Sequence, residues 1–341
     1  MRIVTLAGLW AALLVVGACA PARTDSPAPP PVAEATTPPT PTPEVAIDAG
    51  IAPAQPEAVV GGGVAGAGGE LTVMSFNIRY GTADDGPDHW RHRKGLVFEA
   101  IRRHRPDVLA LQEALRFQID EIRANVPGYG SVGSGRDDGR TAGEHAAILY
   151  RTQRLSLPPP TDPPTRGDFW FSETPGTPGS KGWGATIPRI CTWARFVDIP
   201  SGAGLYVYNV HLDHQSQPSR ANSVGLLLRR VGERPTDEPA IITGDFNADP
   251  GTPELAPLAS PASGFVDTHS GIAAYEDLAT FHGFKGPRPG RRIDLIFAPA
   301  GSSVRGASID TSGVDGRYPS DHFPVLATIA LPAPAATPPA R

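Results

Sequence analysis

A chain of 341 residues with 35 acidic and 30 basic side chains has a formal net charge of −5. That balance argues against a protein whose main task is to grip long nucleic acid, which needs a basic surface. Two cysteines leave no disulfide framework, while 38 glycines and 39 prolines signal long non-core segments beside a globular part.

The chain opens on "MRIVTLAGLWAALLVVGACA": one positive charge, then an apolar run from Ile3 to Ala18. The run is short for a membrane span and is expected to be a secretory signal. It ends at Val16-Gly17-Ala18-Cys19, which resembles the lipobox of bacterial lipoproteins. The resemblance implies lipidation at Cys19, a signal peptide over 1–19, and a membrane-anchored extracytoplasmic protein, with the outer membrane or cell surface preferred. Residues 20–69, rich in Pro, Ala, Thr and Gly, cannot bury a core and are expected to form a disordered tether. Residues 70–330 have ordinary globular composition and suit one domain, and residues 331–341 are expected to be a disordered tail. Cys191, the remaining cysteine, is expected to be a small core residue.

Within the domain, periodicity predicts a strand at Leu71–Ile78 and a helix near Trp90–His104 with a solvated basic face. The buried strand "DVLALQ", a helix at Phe117–Val126 and a strand at Ala146–Tyr150 follow. Pro- and Gly-rich loops are expected over much of 157–190, where "RGD" at Arg166–Asp168 is a chance match and Trp170 and Trp183 wall or pack a cleft. Strands are then predicted at Thr192–Val197 and Leu205–Val210, a helix near Ser219–Val231, and strands at Ala240–Thr243, Ile293–Phe297 and Val325–Ile329.

An internal echo suggests two similar half-domains. "MSFNIRY" and "YVYNVHL" each carry an Asn in an apolar strand, followed by an amphipathic helix and a proline-led strand ending in an acid. In both halves 36 residues separate Asn from acid: Asn77 from Glu113, and Asn209 from Asp245. Two packed sheets meeting at a shared site would account for this, although the equal spacing by itself can be coincidence.

Polar side chains end or interrupt these buried strands: Asn77, Glu113, Asn209, His211, Asp213, Asp245, Asn247, Asp294, Asp321 and His322. A buried amide or carboxylate without a partner costs several kcal/mol, roughly, so their recurrence suggests one cluster built for a cation and an anionic substrate. In "GDFNADP", alternation along an extended backbone would put Asp245 and Asn247 on one side; the other reading is a turn. In "HLDH", His211 and His214 would point to opposite sides of a strand exit, which disfavours a shared zinc.

In this order, "SFNIRYG", "LQE", "NVHLDH", "GDFNADP", "RIDLIF" and "SDHFPV" resemble the endonuclease/exonuclease/phosphatase superfamily. The resemblance implies an α/β four-layer sandwich, with two mixed β-sheets packed face to face and helices on both outer faces. It implies a phosphoric ester hydrolase using in-line attack of water, with Mg²⁺ or Mn²⁺ held by Glu113, and with Asn77 and Asp321 as helpers in metal or phosphate binding. Hard oxygen ligands suit those ions. By the same resemblance His322 is the catalytic histidine and Asp294 its orienting carboxylate. Asp245 handles the attacking water, and Asn247 and His211 hold phosphoryl oxygens. Weaker substrate-binding candidates are Asn209, Asp213, Glu144, Arg189 and His282.

The expected partners are a phosphate-ester substrate (a small molecule, phospholipid head group or nucleic acid) and a membrane reached through the lipid anchor; a monomer is expected. A secreted metal-dependent nuclease and a non-catalytic ligand-binding lipoprotein are the competing readings.

Overall fold

The computed structural model describes residues 69–332. The expected leader with Cys19, the tether up to residue 68 and the tail from 333 lie outside the described residues.

Thirteen strands run through the domain: β1 (Glu70–Asn77), β2 (Val108–Gln112), β3 (Tyr129–Val132), β4 (Ile148–Arg151), β5 (Leu155–Ser156), β6 (Arg166–Trp170), β7 (Ile190–Asp198), β8 (Gly204–His211), β9 (Ala240–Asp245), β10 (Phe265–Asp267), β11 (Asp294–Pro299), β12 (Ser303–Ile309) and β13 (Val325–Ala330). They form two mixed sheets, ordered β12-β13-β1-β2-β4-β3 and β10-β11-β9-β8-β7-β5, with β6 also pairing β7. The pairs β1–β2 and β8–β9 are parallel. Each is joined through a helix, α1 (Trp90–His104) and α3 (Gln217–Gly232) respectively, while α2 (Arg116–Asn125) follows β2.

Strand alternation explains both the layering and the position of the polar residues. Along β1, Leu71 and Val73 enter the apolar core shared by the two sheets, while Met74 and Phe76 pack beneath α1 and α2. Along β8, Leu205 and Val207 face the other sheet, while Tyr206, Tyr208 and Val210 lie under α3. Successive side chains point to opposite faces, so the inward positions continue to Ser75 and Asn77, and to Asn209 and His211. Asp245 and Asp294 hold the same parity as the inward Ile241 and Ile296. The layer between the sheets is therefore apolar at one end of the strands and polar at the other.

The halves repeat as parallel β-α-β units, but the equal 36-residue spacing is not an equal register. Asn77 lies beside Gln112, one residue short of Glu113, whereas Asn209 lies beside Thr243, two short of Asp245.

Three expectations need correction. "RGDFW" is the edge strand β6, paired with Ile190–Ala194, and not loop. The edge strands β3, β5, β10 and β12 were not predicted; β12, "SVRGASI", is interrupted by a Gly and mostly half-buried, so it lacks an alternating apolar face. On α1, Arg93 does not belong to a solvated face: it is 1% exposed and donates to the carbonyls of Ile78 (2.8 Å), Asp88 (2.8 Å), Pro319 (2.8 Å) and Arg79 (3.1 Å). Cys191 is fully buried in the core beneath α3.

Candidate active site

The polar end of the inter-sheet layer opens into a cleft of about 530 Å³ lined by Glu113, Asp245, Asn247, Asp321, His322 and His211, among others. A larger cavity of about 740 Å³, near Val231 and Phe265, lies at the opposite end of the same strands and gathers none of these groups.

Asp245 ends β9 at the cleft floor, and the chain then turns. Asn247 has φ 50°, so the two share the cleft through a turn and not through alternation. Asp245 Oδ1 accepts from the Asn247 backbone N–H at 2.9 Å, and Asn247 Nδ2 donates to Leu212 O at 3.0 Å. Gly244 is required just before: a Cβ there would stand 2.0 Å from Val210 O. Glu113 (φ 57°) and Arg79 (φ 55°) also adopt the left-handed region at the cleft. Such a conformation costs a non-glycine residue about 1–3 kcal/mol and persists where surrounding contacts enforce it.

His322 enters from the segment that leads into β13. Its Nδ1 lies 2.8 Å from Asp294 Oδ2, and its Nε2 is 3.9 Å from Asp245 Oδ2. Burial disfavours the charged imidazole, but the charge and hydrogen bond of Asp294, with the charges of Asp245 and Asp321, outweigh it and push its pKa up to about 10. Burial and then the Asp294 charge push the Asp245 carboxyl up to about 7. The pair therefore offers a carboxylate that titrates near neutrality beside a protonated imidazole.

Asn77 stands behind two acids. Its Oδ1 accepts from the Arg79 backbone N–H at 3.0 Å, which directs Nδ2 to Glu113 Oε1 (3.1 Å) and Asp245 Oδ2 (3.0 Å). In this arrangement Asn77 orients the two carboxylates and does not turn its oxygen to the cleft, unlike the expected metal helper.

Glu113 and Asp321 flank the Arg79 guanidinium at 4.0 and 3.8 Å. Burial, reinforced by the Glu113 charge, raises the Asp321 pKa. Two cleft-facing carboxylates sharing one cation already paired with Asp85 at 2.9 Å leave excess negative charge of hard-oxygen type. That donor set fits a divalent cation of the Mg²⁺ class. Ligand atoms of Asp245, Asp294 and His322 also lie within 4.8 Å of one another, and Asp294 Oδ1 is buried without a hydrogen-bond partner. There the His322–Asp294 hydrogen bond already engages Nδ1, which favours the acid–base reading of that trio.

The far side of the cleft is basic. Arg136 makes a bidentate pair with Glu144, both contacts at 2.6 Å. Arg189 donates to His211 Nε2 (2.9 Å) and His214 Nδ1 (2.7 Å). His211 and His214 therefore converge on one guanidinium instead of pointing apart, because the chain turns after β8. A guanidinium can only donate, so His211 Nε2 is an acceptor and has no proton there for a phosphoryl oxygen. Burial and the Arg189 charge hold the His211 pKa well below normal.

Three weaker candidates fall outside the cleft lining. Asn209 is fully buried between the sheets, accepting from Gln112 Nε2 (2.7 Å) and donating to Leu111 O and Ala147 O (2.9 Å each). Asp213 accepts from the backbone N–H groups of Gln215 (3.0 Å) and Ser216 (2.6 Å), holding the turn into α3. His282 is fully buried, stacked on Phe323 with centroids 3.9 Å apart. Trp170 packs against Ala146 and Ile190 and donates to Arg136 O at 2.6 Å, fixing the cleft wall. Arg79, Tyr80 and Phe281 line the cleft without having been singled out; for the first two the signal was present, since they follow Asn77 in "SFNIRYG".

The profile of the endonuclease/exonuclease/phosphatase family matches residues 74–322. An endonuclease/exonuclease/phosphatase from Bacteroides vulgatus superposes with TM-score 0.69 at 32% identity, covering 77% of this chain and 100% of that one. A mannosyl-6-phosphatase from Bacteroides thetaiotaomicron gives TM-score 0.69 at 33% identity, covering 76% of this chain and 99% of that one. Nocturnin of Drosophila melanogaster is 25% identical over 213 residues; the match covers 56% of this chain and 31% of nocturnin's length.

Proposed function

The chain belongs to the endonuclease/exonuclease/phosphatase family, and on that premise we propose that it is an extracytoplasmic hydrolase of phosphate esters working with Mg²⁺ or Mn²⁺. The observation that carries the proposal is the meeting of Asp245 and the Asp294–His322 pair in the cleft that also holds Glu113 and Asp321. The similarity to a mannosyl-6-phosphatase favours a small phosphorylated substrate over a polynucleotide. Extracytoplasmic placement and membrane attachment rest on the Val16–Cys19 motif.

Asp245, titrating near neutrality, takes the proton of the attacking water. His322, held charged and oriented by Asp294, donates to the oxygen on which charge develops. Asn247, anchored through Leu212 O, keeps one amide N–H for a phosphoryl oxygen. Asn77 fixes the spacing of Glu113 and Asp245. Glu113 and Asp321 would hold the divalent cation, which supplies charge neutralisation at the phosphate. Turnover of p-nitrophenyl phosphate, bis-p-nitrophenyl phosphate and plasmid DNA by the purified full chain, with Mg²⁺, Mn²⁺ or EDTA, tests the proposal. Ester hydrolysis abolished by EDTA is expected, and hydrolysis indifferent to EDTA would contradict the metal assignment.

A further inference from the structure

Resting on the phosphoesterase reading, we infer that Arg189 makes this a phosphomonoesterase site. Its guanidinium reads the second negative charge of a monoester dianion.

The first support is charge. The other two arginines of the cleft have close carboxylate partners: Arg79 has Asp85 at 2.9 and 3.1 Å, and Arg136 has Glu144 at 2.6 Å. Arg189 is 2% exposed, and its nearest carboxylate oxygen, on Asp213, is 3.5 Å away. Asp213 is already held by two backbone N–H groups. Its two shorter contacts are the ring nitrogens of His211 and His214. A guanidinium has five N–H donors, so these partners leave two for a ligand. The one carboxylate contact of this buried cation is long and shared with two backbone N–H groups, so an anion in the cleft would neutralise it further. A phosphomonoester carries nearly two negative charges at neutral pH and presents paired oxygens that suit a bidentate fork. A diester carries one charge.

The second support is position. The bridges Gly135–His145 and Ala114–His145 and the Trp170–Arg136 hydrogen bond hold the Arg136–Glu144 pair as a wall. Behind it, the space among Arg136, Glu144, Arg189, Ile190 and His211 has no room for a water molecule. Arg189 lines the same cleft as Asp245, Asn247 and His322, so a phosphoryl group held there lies among all four. Hydrolysis then breaks one P–O(ester) bond as the P–O(water) bond forms. The water proton passes to Asp245, and the leaving oxygen gains one from His322.

The test compares kcat/KM for p-nitrophenyl phosphate and bis-p-nitrophenyl phosphate in the full chain, Arg189→Lys and Arg189→Met, at saturating Mn²⁺. The wild-type monoester-to-diester ratio is expected to exceed about 10, and to fall at least about tenfold in Arg189→Met, as loss of one charged donor to a phosphoryl oxygen would produce. Arg189→Lys, which keeps the charge and loses the fork, should fall between. A ratio unchanged by both substitutions, or a wild-type preference for the diester, would overturn the assignment. A measurement on the unmodified chain guards against a variant that does not fold: inorganic phosphate should inhibit at a concentration at least about tenfold lower than dimethyl phosphate, and equal inhibition would overturn the inference. Wild-type turnover of neither ester would instead sink the phosphoesterase reading itself.

Discussion

His322 Nδ1 and Asp294 Oδ2 stand 2.8 Å apart across 28 residues of sequence, joining the entry to β13 in one sheet with the first residue of β11 in the other. The hydrogen bond ties the two sheets at the point where the chemistry is assigned. Its effect has a sign. His322 binds its proton more tightly folded, with a pKa near 10, than at its ordinary 6.5. The associated stability is fully present below about pH 6.5 and is lost as pH rises toward 10. In Asp294→Asn the difference in melting temperature from wild type, measured without divalent metal, should be largest near pH 6 and shrink toward pH 10. The activity of the variant should fall at least about 10²-fold. A difference that does not vary with pH would contradict this account of the pair.

Asp245 carries the opposite balance. Its pKa is raised to about 7, mainly by burial, so ionising it costs stability once pH exceeds its unfolded value near 3.8, fully so above about 7. Asp245→Asn removes the charge but turns one of its two acceptor oxygens, which take the Asn77 amide and the Asn247 backbone N–H, into an NH₂ group. The melting temperature of the variant relative to wild type should therefore be more favourable at pH 8 than at pH 5 without metal, while kcat falls about 10²–10⁴-fold. Calorimetry at pH 5 and pH 8 checks this.

Asn209→Leu tests the separation of structure from chemistry. Its amide satisfies Gln112 Nε2 and the carbonyls of Leu111 and Ala147, all buried. Each group left without a partner costs about 1–3 kcal/mol. Urea unfolding should show a loss on that scale, while KM of the folded variant stays near wild type. A raised KM at unchanged stability would return Asn209 to the substrate.

Arg93→Met removes four donors to carbonyls from the turns that carry Arg79 and lead to Asp321. Burial lowers the Arg93 pKa to about 10, so at neutral pH it remains a charged side chain, held by carbonyl dipoles, by the nearby charges of Asp321, Asp85 and Glu113, and by the Trp90 and Phe284 rings. Loss of a buried, fully bonded cation is expected to cost about 3–5 kcal/mol, measured by denaturant unfolding. Arg93→Lys should recover only part of it, since an ammonium cannot span four acceptors in a plane.

How much of this was legible follows the physics of each residue. Asp245 and Asp294 could be read because each stands at the end of an apolar strand, where strand parity dictates the side chain's direction; Glu113, turned at φ 57° just past β2, and His322, ahead of β13, were legible from the motifs "LQE" and "SDHFPV" and not from parity. Arg93 could not: on α1 it is one arginine among several, and its acceptors come from segments as far as 226 residues away. The Asn77 amide turns Nδ2 and not Oδ1 to the cleft acids because a local backbone N–H, two residues on, takes its oxygen. His214 joins His211 because a turn replaces the extended chain the alternation assumed. Strand β6 was hidden by its glycine and flanking prolines, and β12 by its mixed, non-alternating residues at a sheet edge.

The central claim is that the cleft hydrolyses phosphate esters with His322 at the reacting atoms. The most direct measurement is p-nitrophenol release from p-nitrophenyl phosphate by the wild-type full chain and His322→Ala, at saturating Mn²⁺ or Mg²⁺, with folding of both confirmed by unfolding midpoint. The account expects metal-dependent turnover by wild type and a loss of at least about 10²-fold in the folded variant. Equal turnover by the two proteins, or none by a folded and metal-loaded wild type, would contradict it.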